Sequence, residues 1–415
     1  MSALSSPATD LVGPDQVGAD LVDAHCHSVT VADLDDAEFA MLCTESSLPP
    51  APGTSYLHTP LMLAIRRWCA PALGLERHAP IEQYLARRRH LGGVVASRRL
   101  LGQAGVSALL VDTGYVADQV AVPELAELAG ARGYEVVRLE SLAEELAPAV
   151  LPHQFPQRFR HALRICGERV VAFKSVLAYR HGFDVAAERP SDDAVIESVT
   201  AWSGEWAASR SRPVRVTDPV ILRFLLWEGL TCPQPAGRKP RPVQLHAGYG
   251  DADLDLHRAN PLLLTDLIRA VLSAGGGPIV LLHCYPFHRE AAYLASVYPH
   301  VYFDIGVAVG HLGPSASTLV AEALELAPFG KLHFSSDGCA LAELFLVGAL
   351  AFRHGLDKVL GDWVRADEIS AADAASIRAT VLGGSARRLY PGLDGGSGPG
   401  PAFTGLHDTP RQDEA

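Results

Sequence analysis

Six residues have types and spacings that could do chemistry together: His25, His27, Lys174, His246, His283 and Asp337. The first two fall in LVDAHCHSV (21–29), directly after a short apolar run. Residues two apart in extended chain share a face, so both imidazoles can reach one ion while Cys26 points away. Imidazole nitrogen and carboxylate oxygen are donors that suit zinc, manganese or iron. Taken singly, each residue has a plainer reading. An HxH pair can simply end a strand, a lone histidine can pack through a hydrogen bond, and an aspartate before glycine turns the chain. Lys174 is harder to dismiss, because burying a lysine in an apolar strand costs several kcal/mol unless it is paired or modified.

The elements that must position these residues are short apolar runs separated by helical patterns. The runs cover 19–25, 106–114, 134–141, 169–176, 241–248, 277–284, 300–306 and 331–338. Most are continuously apolar, as parallel strands buried on both faces are. Helical patterns lie between them. SDDAVIESVTAWSGEWAASR (191–210) opens with N-cap residues, and NPLLLTDLIRAVLSAGGG (260–277) ends in glycine. Eight strands alternating with helices predict an α/β fold, a (β/α)8 TIM-type barrel, with a doubly wound open sheet as the rival. Two long intervals, 29–105 after strand one and 177–240 after strand four, are expected to be helical insertions over the mouth. The six residues each fall at the C-terminal end of a run, the end where barrel enzymes build their sites.

Composition narrows the function. The chain has 415 residues, 48% of them hydrophobic, enough for one large barrel domain over 19–391. Residues 1–18 and 392–415 read as flexible tails. A formal net charge of −12 argues against a broad nucleic-acid surface. No apolar run is long enough to span a bilayer, and the first residues lack a basic, apolar leader, so a cytoplasmic protein is expected. The seven cysteines are scattered with no CxxC pair, which excludes a disulfide framework or zinc ribbon. Only four lysines stand against 31 arginines, so Lys174 is one of few.

The order of these residues resembles the amidohydrolase superfamily. There, an HxH pair after strand one, a lysine or glutamate on strand four, histidines after strands five and six and an aspartate after strand eight hold one or two metals. FKSVLAYRHGFD (173–184), QLHAGYGDADLDLHRANPLLL (244–264), VLLHCYPFHREAAYLASVYPHVYFDIG (280–306) and HFSSDG (333–338) carry a closer resemblance. It is to the amidohydrolase-like domains fused to glutamine-synthetase-like domains in nodulin-like plant proteins and fungal sporulation regulators. It spans roughly residues 20–390. No ligase-like domain has a counterpart here, so no ATP-dependent ligase activity is expected.

The resemblance implies His25, His27 and Asp337 as ligands of one divalent metal, zinc first and manganese or iron next. His246 and His283 bind a second ion or orient substrate and water. Lys174 is either a carbamylated bridging ligand or an unmodified cation that holds a substrate carboxylate. The implied reaction is hydrolysis of a C–N bond in a small carboxylated substrate, with a γ-glutamyl type suggested by the relatives' fused domains. Asp337 serves as general base and then acid, and His283 or His246 stabilises the oxyanion. Non-oxidative decarboxylation and sugar-acid isomerisation are alternatives on the same site, and a non-catalytic scaffold barrel is a third. Arg180, Tyr285 and Glu343 are the candidate substrate contacts, Glu343 also by ordering the strand-eight loop. His288 and His311 are given supporting roles, and Asp251, Asp253 and Asp255 are read as solvated. Expected partners are a small-molecule substrate and, for assembly, further copies of the chain; no nucleic-acid or membrane partner is expected.

Overall fold

The structure, a computed structural model, describes residues 20–114, 119–208, 215–234 and 240–393. The expected tails lie almost wholly outside the described residues. Eight strands run in the order β1 (Leu21–Cys26), β2 (Val106–Asp112), β3 (Arg132–Arg138), β4 (Ala172–Ser175), β5 (Val243–Ala247), β6 (Ile279–His283), β7 (Val301–Asp304) and β8 (Leu332–His333). Every neighbouring pair is parallel. The Ala24 N–H donates to the Phe334 carbonyl at 2.9 Å, so the chain after β8 returns to β1 and closes the barrel. This is the (β/α)8 barrel predicted from the strand pattern.

Side chains separate into two packed sets. Leu109, Val111, Phe173, Val243, Leu245, Ile279 and Leu281 join the large outer core under the helices. Val22, Ala24, Ala108, Leu110, Val136, Ala172, Val280 and Leu282 form a smaller inner cluster with Ala386, Leu389, Tyr390 and Leu393. The inner cluster is the barrel interior, plugged by the C-terminal segment. Alternation between the two sets along most of each strand is what a strand buried on both faces produces.

Both long intervals are helical. The first holds helices over Asp36–Met41, Pro60–Ala72, Ile81–Leu91 and Gly93–Gln103. Asp35 starts the first of these with a capping box, accepting from the Ala37 and Glu38 N–H groups. The second holds Asp192–Ala208 and Pro219–Leu230, the latter capped by Asp218. Among the described residues no helix is long and apolar enough to cross a membrane.

Candidate metal centre

Alternation alone places five polar residues on the barrel axis. Asp112, Arg138, Lys174, Gln244 and His246 continue the inward parity of Leu110, Val136, Ala172 and their neighbours. The two decisive histidines break that parity. Val22 and Ala24 face inward, so His25 would face outward in a regular strand. The β1–β2 register shifts between Asp23 and Cys26, and that bulge turns His25 inward while Cys26 faces the outer core. On β6, Val280 and Leu282 face inward, and His283 reaches the site through a left-handed backbone, φ 66°. Asp337 adopts φ 50°. Left-handed backbone at non-glycine residues costs of order 1–3 kcal/mol each, and both examples carry candidate ligands.

Neighbours fix the histidine tautomers. The Gln244 amide nitrogen donates to the Ala24 carbonyl at 2.6 Å and to the Tyr390 hydroxyl at 3.0 Å. Its Oε1 therefore faces His25 Nδ1, 2.9 Å away, and that nitrogen must carry the proton. His27 Nδ1 faces the Asp112 carbonyl at 3.2 Å and must also donate. Both Nε2 lone pairs then turn toward Asp337 Oδ1, at 3.2 Å from His25 and 3.6 Å from His27. His283 Nε2 lies 3.7 Å from the other carboxylate oxygen. Lone pairs that converge on a carboxylate need a cation between them.

Electrostatics agree with that demand. Burial holds His246 and His283 well below the ordinary imidazole range and takes His27 to about 4, so all three are neutral donors. Burial also opposes ionisation of Asp337; positive charge on His283, His25 and His27 would outweigh it and hold the carboxyl well below its usual range, and with imidazoles kept neutral that charge has to come from a cation in the site. Asp337 Oδ1 and His246 Nε2 are buried with no hydrogen-bond partner. Two sets of donor atoms, His25, His283 and Asp337, and His25, His27 and Asp112, each lie within 4.8 Å of one another, and two nitrogens with a carboxylate oxygen fit a divalent metal. Asp112 also lies near His25 and His27, but its oxygens already accept from Arg138 and from the Gly114 N–H. Asp337 is the better ligand on that ground.

Lys174 Nζ lies 3.3 Å from His25 Nε2. Burial lowers its pKa to about 8, partly offset by Asp112 and Asp337. About one lysine in ten is then neutral at pH 7 and able to take up CO2.

The structure brings His25, His27, Lys174, His246, His283 and Asp337 together and gives each proposed substrate contact its neighbours. Arg180 is paired with Glu144 at 2.8 Å. The adjacent Tyr179 has its ring 4.6 Å from that of His246. Glu343 is fully buried and accepts from Arg88 at 2.8 Å and Tyr84 at 2.9 Å. These contacts tie the first insertion to the helix after β8. Tyr285 is half-buried above β6, stacked on His288 at 6.0 Å and edge-on to Tyr249. His288 pairs with Glu322. Asp253 and Asp255 make exposed pairs with Arg215 and His257.

The sequence reading passed over Asp112, Arg138, Gln244 and Tyr179. Asp112 and Arg138 obey the strand-end rule that found the others, and Gln244 is two residues before His246 on the same face. Asp112 and Arg138 form a buried pair, with Arg138 Nη2 2.5 Å from Asp112 Oδ2. Burial alone would raise the Asp112 pKa; Arg138, then His27 and Lys174, hold it well below the ordinary range. Arg138→Met should therefore destabilise the metal-free protein by about 3–5 kcal/mol, because it leaves a buried carboxylate uncompensated. Urea unfolding at neutral pH measures this. A depressed carboxyl stabilises fully above its unfolded pKa of about 4 and less as pH falls through it, so the wild-type advantage should shrink in acid.

Comparison with known proteins bears on the fold and the family. An amidohydrolase family model matches residues 236–392, the part that carries β5 to β8. Protein fluG of Emericella nidulans is 34% identical over 231 residues, 54% of this chain and 26% of that protein. The aligned region is thus about a quarter of that relative's length. The solved structure of a protein from Lactobacillus casei, provisionally assigned as a metal-dependent hydrolase, superimposes with a TM-score of 0.73 at 28% identity. That match covers 90% of this chain and 95% of the other. A uronate isomerase from Thermotoga maritima shares the fold, with a TM-score of 0.57 at 13% identity over 91% of this chain and 96% of its own.

Proposed function

The chain is a member of the amidohydrolase superfamily that resembles FluG-like proteins, and on that premise we propose that it hydrolyses a C–N bond in a small carboxylated substrate. The observation that carries the reading is the convergence of the His25, His27 and His283 Nε2 atoms on the Asp337 carboxylate. His25, His27 and Asp337 would hold the ion, with His246 and His283 beside it. A divalent metal, zinc first, supplies Lewis-acid polarisation of a carbonyl and makes water acidic enough to lose a proton near neutral pH.

The chain's own groups do the rest. Asp337 is ionised, so it can accept a proton from water and return it to the leaving nitrogen. Gln244 and the Asp112 carbonyl keep His25 and His27 in the tautomer that aims Nε2 at the centre. The Tyr179 hydroxyl stays protonated, because burial raises its pKa far above neutrality, with Asp251 adding to the effect. It stands beside His246 as a hydrogen-bond donor for a developing oxyanion. With Arg180 tied to Glu144, Lys174 is left to hold the substrate carboxylate if unmodified, or to bridge two ions if carbamylated.

Metal per chain, measured by elemental analysis for wild type and Lys174→Ala after soaking with zinc or manganese, tests the reading. One ion in both proteins assigns Lys174 to the substrate carboxylate. Two ions, falling in the variant, assign it to the bridge. No ion in either removes the hydrolase reading. A screen of small carboxylated amides, γ-glutamyl compounds among them, should then show release of the amine; release of CO2 instead would replace hydrolysis by decarboxylation.

A further inference from the structure

The first insertion brings a carboxyl that the catalytic argument does not use. Glu45 lies between two insertion helices, and its Oε1 is 3.8 Å from His311 Nε2. His311 Nδ1 faces the Val307 carbonyl at 3.0 Å and must donate to it. The Nε2 atom is therefore a lone-pair acceptor, and it is buried without a hydrogen-bond partner. Burial holds the imidazole below its ordinary pKa, so His311 offers Glu45 no positive charge at neutral pH. Glu45 and His311 thus face each other across an acceptor nitrogen, and without a ligand the proton that can lie between them is Glu45's own.

The surroundings favour one kind of donor. Among the described residues, no lysine or arginine lies within ion-pair distance of Glu45. Burial, then Asp337 and Asp251, push its carboxyl up to about 8. Its field also reaches Tyr179 and Tyr249, on the loops after β4 and β5. Glu45 thus stands in the mouth rather than on the outer surface. The Tyr249 ring is edge-on to His311 at 5.9 Å and supplies an aromatic wall. Once Glu45 gives up that proton, a carboxylate, a neutral imidazole acceptor and an aromatic face are complementary to a primary ammonium, which brings three N–H donors and a positive charge. A hydroxyl brings one donor and no charge.

We propose that Glu45 and His311 form a substrate-binding subsite for a primary ammonium group on the part of the substrate remote from the metal. The inference rests on the metal-centre reading, since it places one end of the substrate at Asp337, and it deepens that reading by requiring an amino group at the other end.

Metal-loaded full-length protein should be titrated by calorimetry with a short series of straight-chain hydroxamates of graded length. Hydroxamate chelates the metal, and the far end carries an ammonium, a hydroxyl or a methyl group. At the best length, the ammonium compound should bind about ten- to a hundredfold more tightly than the other two, as a charge-assisted contact predicts. Glu45→Gln should erase that advantage and leave the methyl compound's affinity unchanged; His311→Gln, an independent variant, should reduce it. Equal affinity for all three end groups in the wild type, or an ammonium preference that survives Glu45→Gln, overturns the subsite. A second metal ion that disappears in Glu45→Gln also overturns it, by making the pair a metal site. Failure of every hydroxamate to bind overturns the metal-centre reading, and the subsite with it.

Discussion

Asp337→Asn should lower turnover by about a hundred- to ten-thousandfold, while fold and most of the bound metal remain. That range corresponds to about 3–5 kcal/mol of barrier. The substitution preserves shape and one oxygen donor but removes the ionised oxygen that accepts a proton. It also removes the negative charge on which His25, His27 and His283 converge. Rate constants on an amide substrate, with metal content by elemental analysis and fold by circular dichroism, separate the two roles. Turnover near the wild-type value would remove the proton-carrying role from Asp337. Loss of both metal and turnover would instead make Asp337 chiefly a ligand.

His25→Ala should have the larger effect on the metal itself. His25 is fully buried and adjoins both Asp337 and Lys174, so no water-exposed side chain can take its place. Occupancy should fall below detection after gel filtration, and turnover should fall with it. Gln244→Leu should give a graded version of the same loss, about ten- to a hundredfold in metal affinity, because it frees the His25 ring to flip or change tautomer. Full occupancy in His25→Ala would return the HxH pair to the status of an ordinary strand end. Unchanged affinity in Gln244→Leu would show that packing alone, without the amide, holds the ring.

The resemblance already implied both roles, whereas the contacts that set the size of each effect are not carried by the chain read as a string. The residue types at the strand ends were legible because in a closed parallel barrel every strand delivers its C-terminal end to one face. A polar residue that interrupts an apolar run there has few places to go. Lys174 and His246 followed from that rule, and Asp112 and Arg138 obey it equally, while Gln244 lies two residues before His246 on the same face. The barrel itself was legible for a related reason. Strands covered on both faces must be continuously apolar, and eight such runs alternate with helical segments.

What the sequence by itself determined, then, is the order of strands and the donor types at their ends. The tertiary structure alone decided where several of those donors point. His25 reaches the axis through a bulge, and His283 through a left-handed residue; each reverses the parity that alternation predicts. Arg180 and Tyr179 are neighbours on one short helix, and the partly buried Glu144 pairs with the arginine while the tyrosine ring lies beside His246. Glu343 follows Asp337 by six residues, yet Arg88 and Tyr84 from an insertion far away in sequence enclose it in the core. Glu45 comes to the mouth through that same insertion. The physical reason is common to all of them. Backbone irregularities and the partners of buried charges are settled by contacts between residues distant in the chain, whereas periodicity records only the environment averaged along each strand.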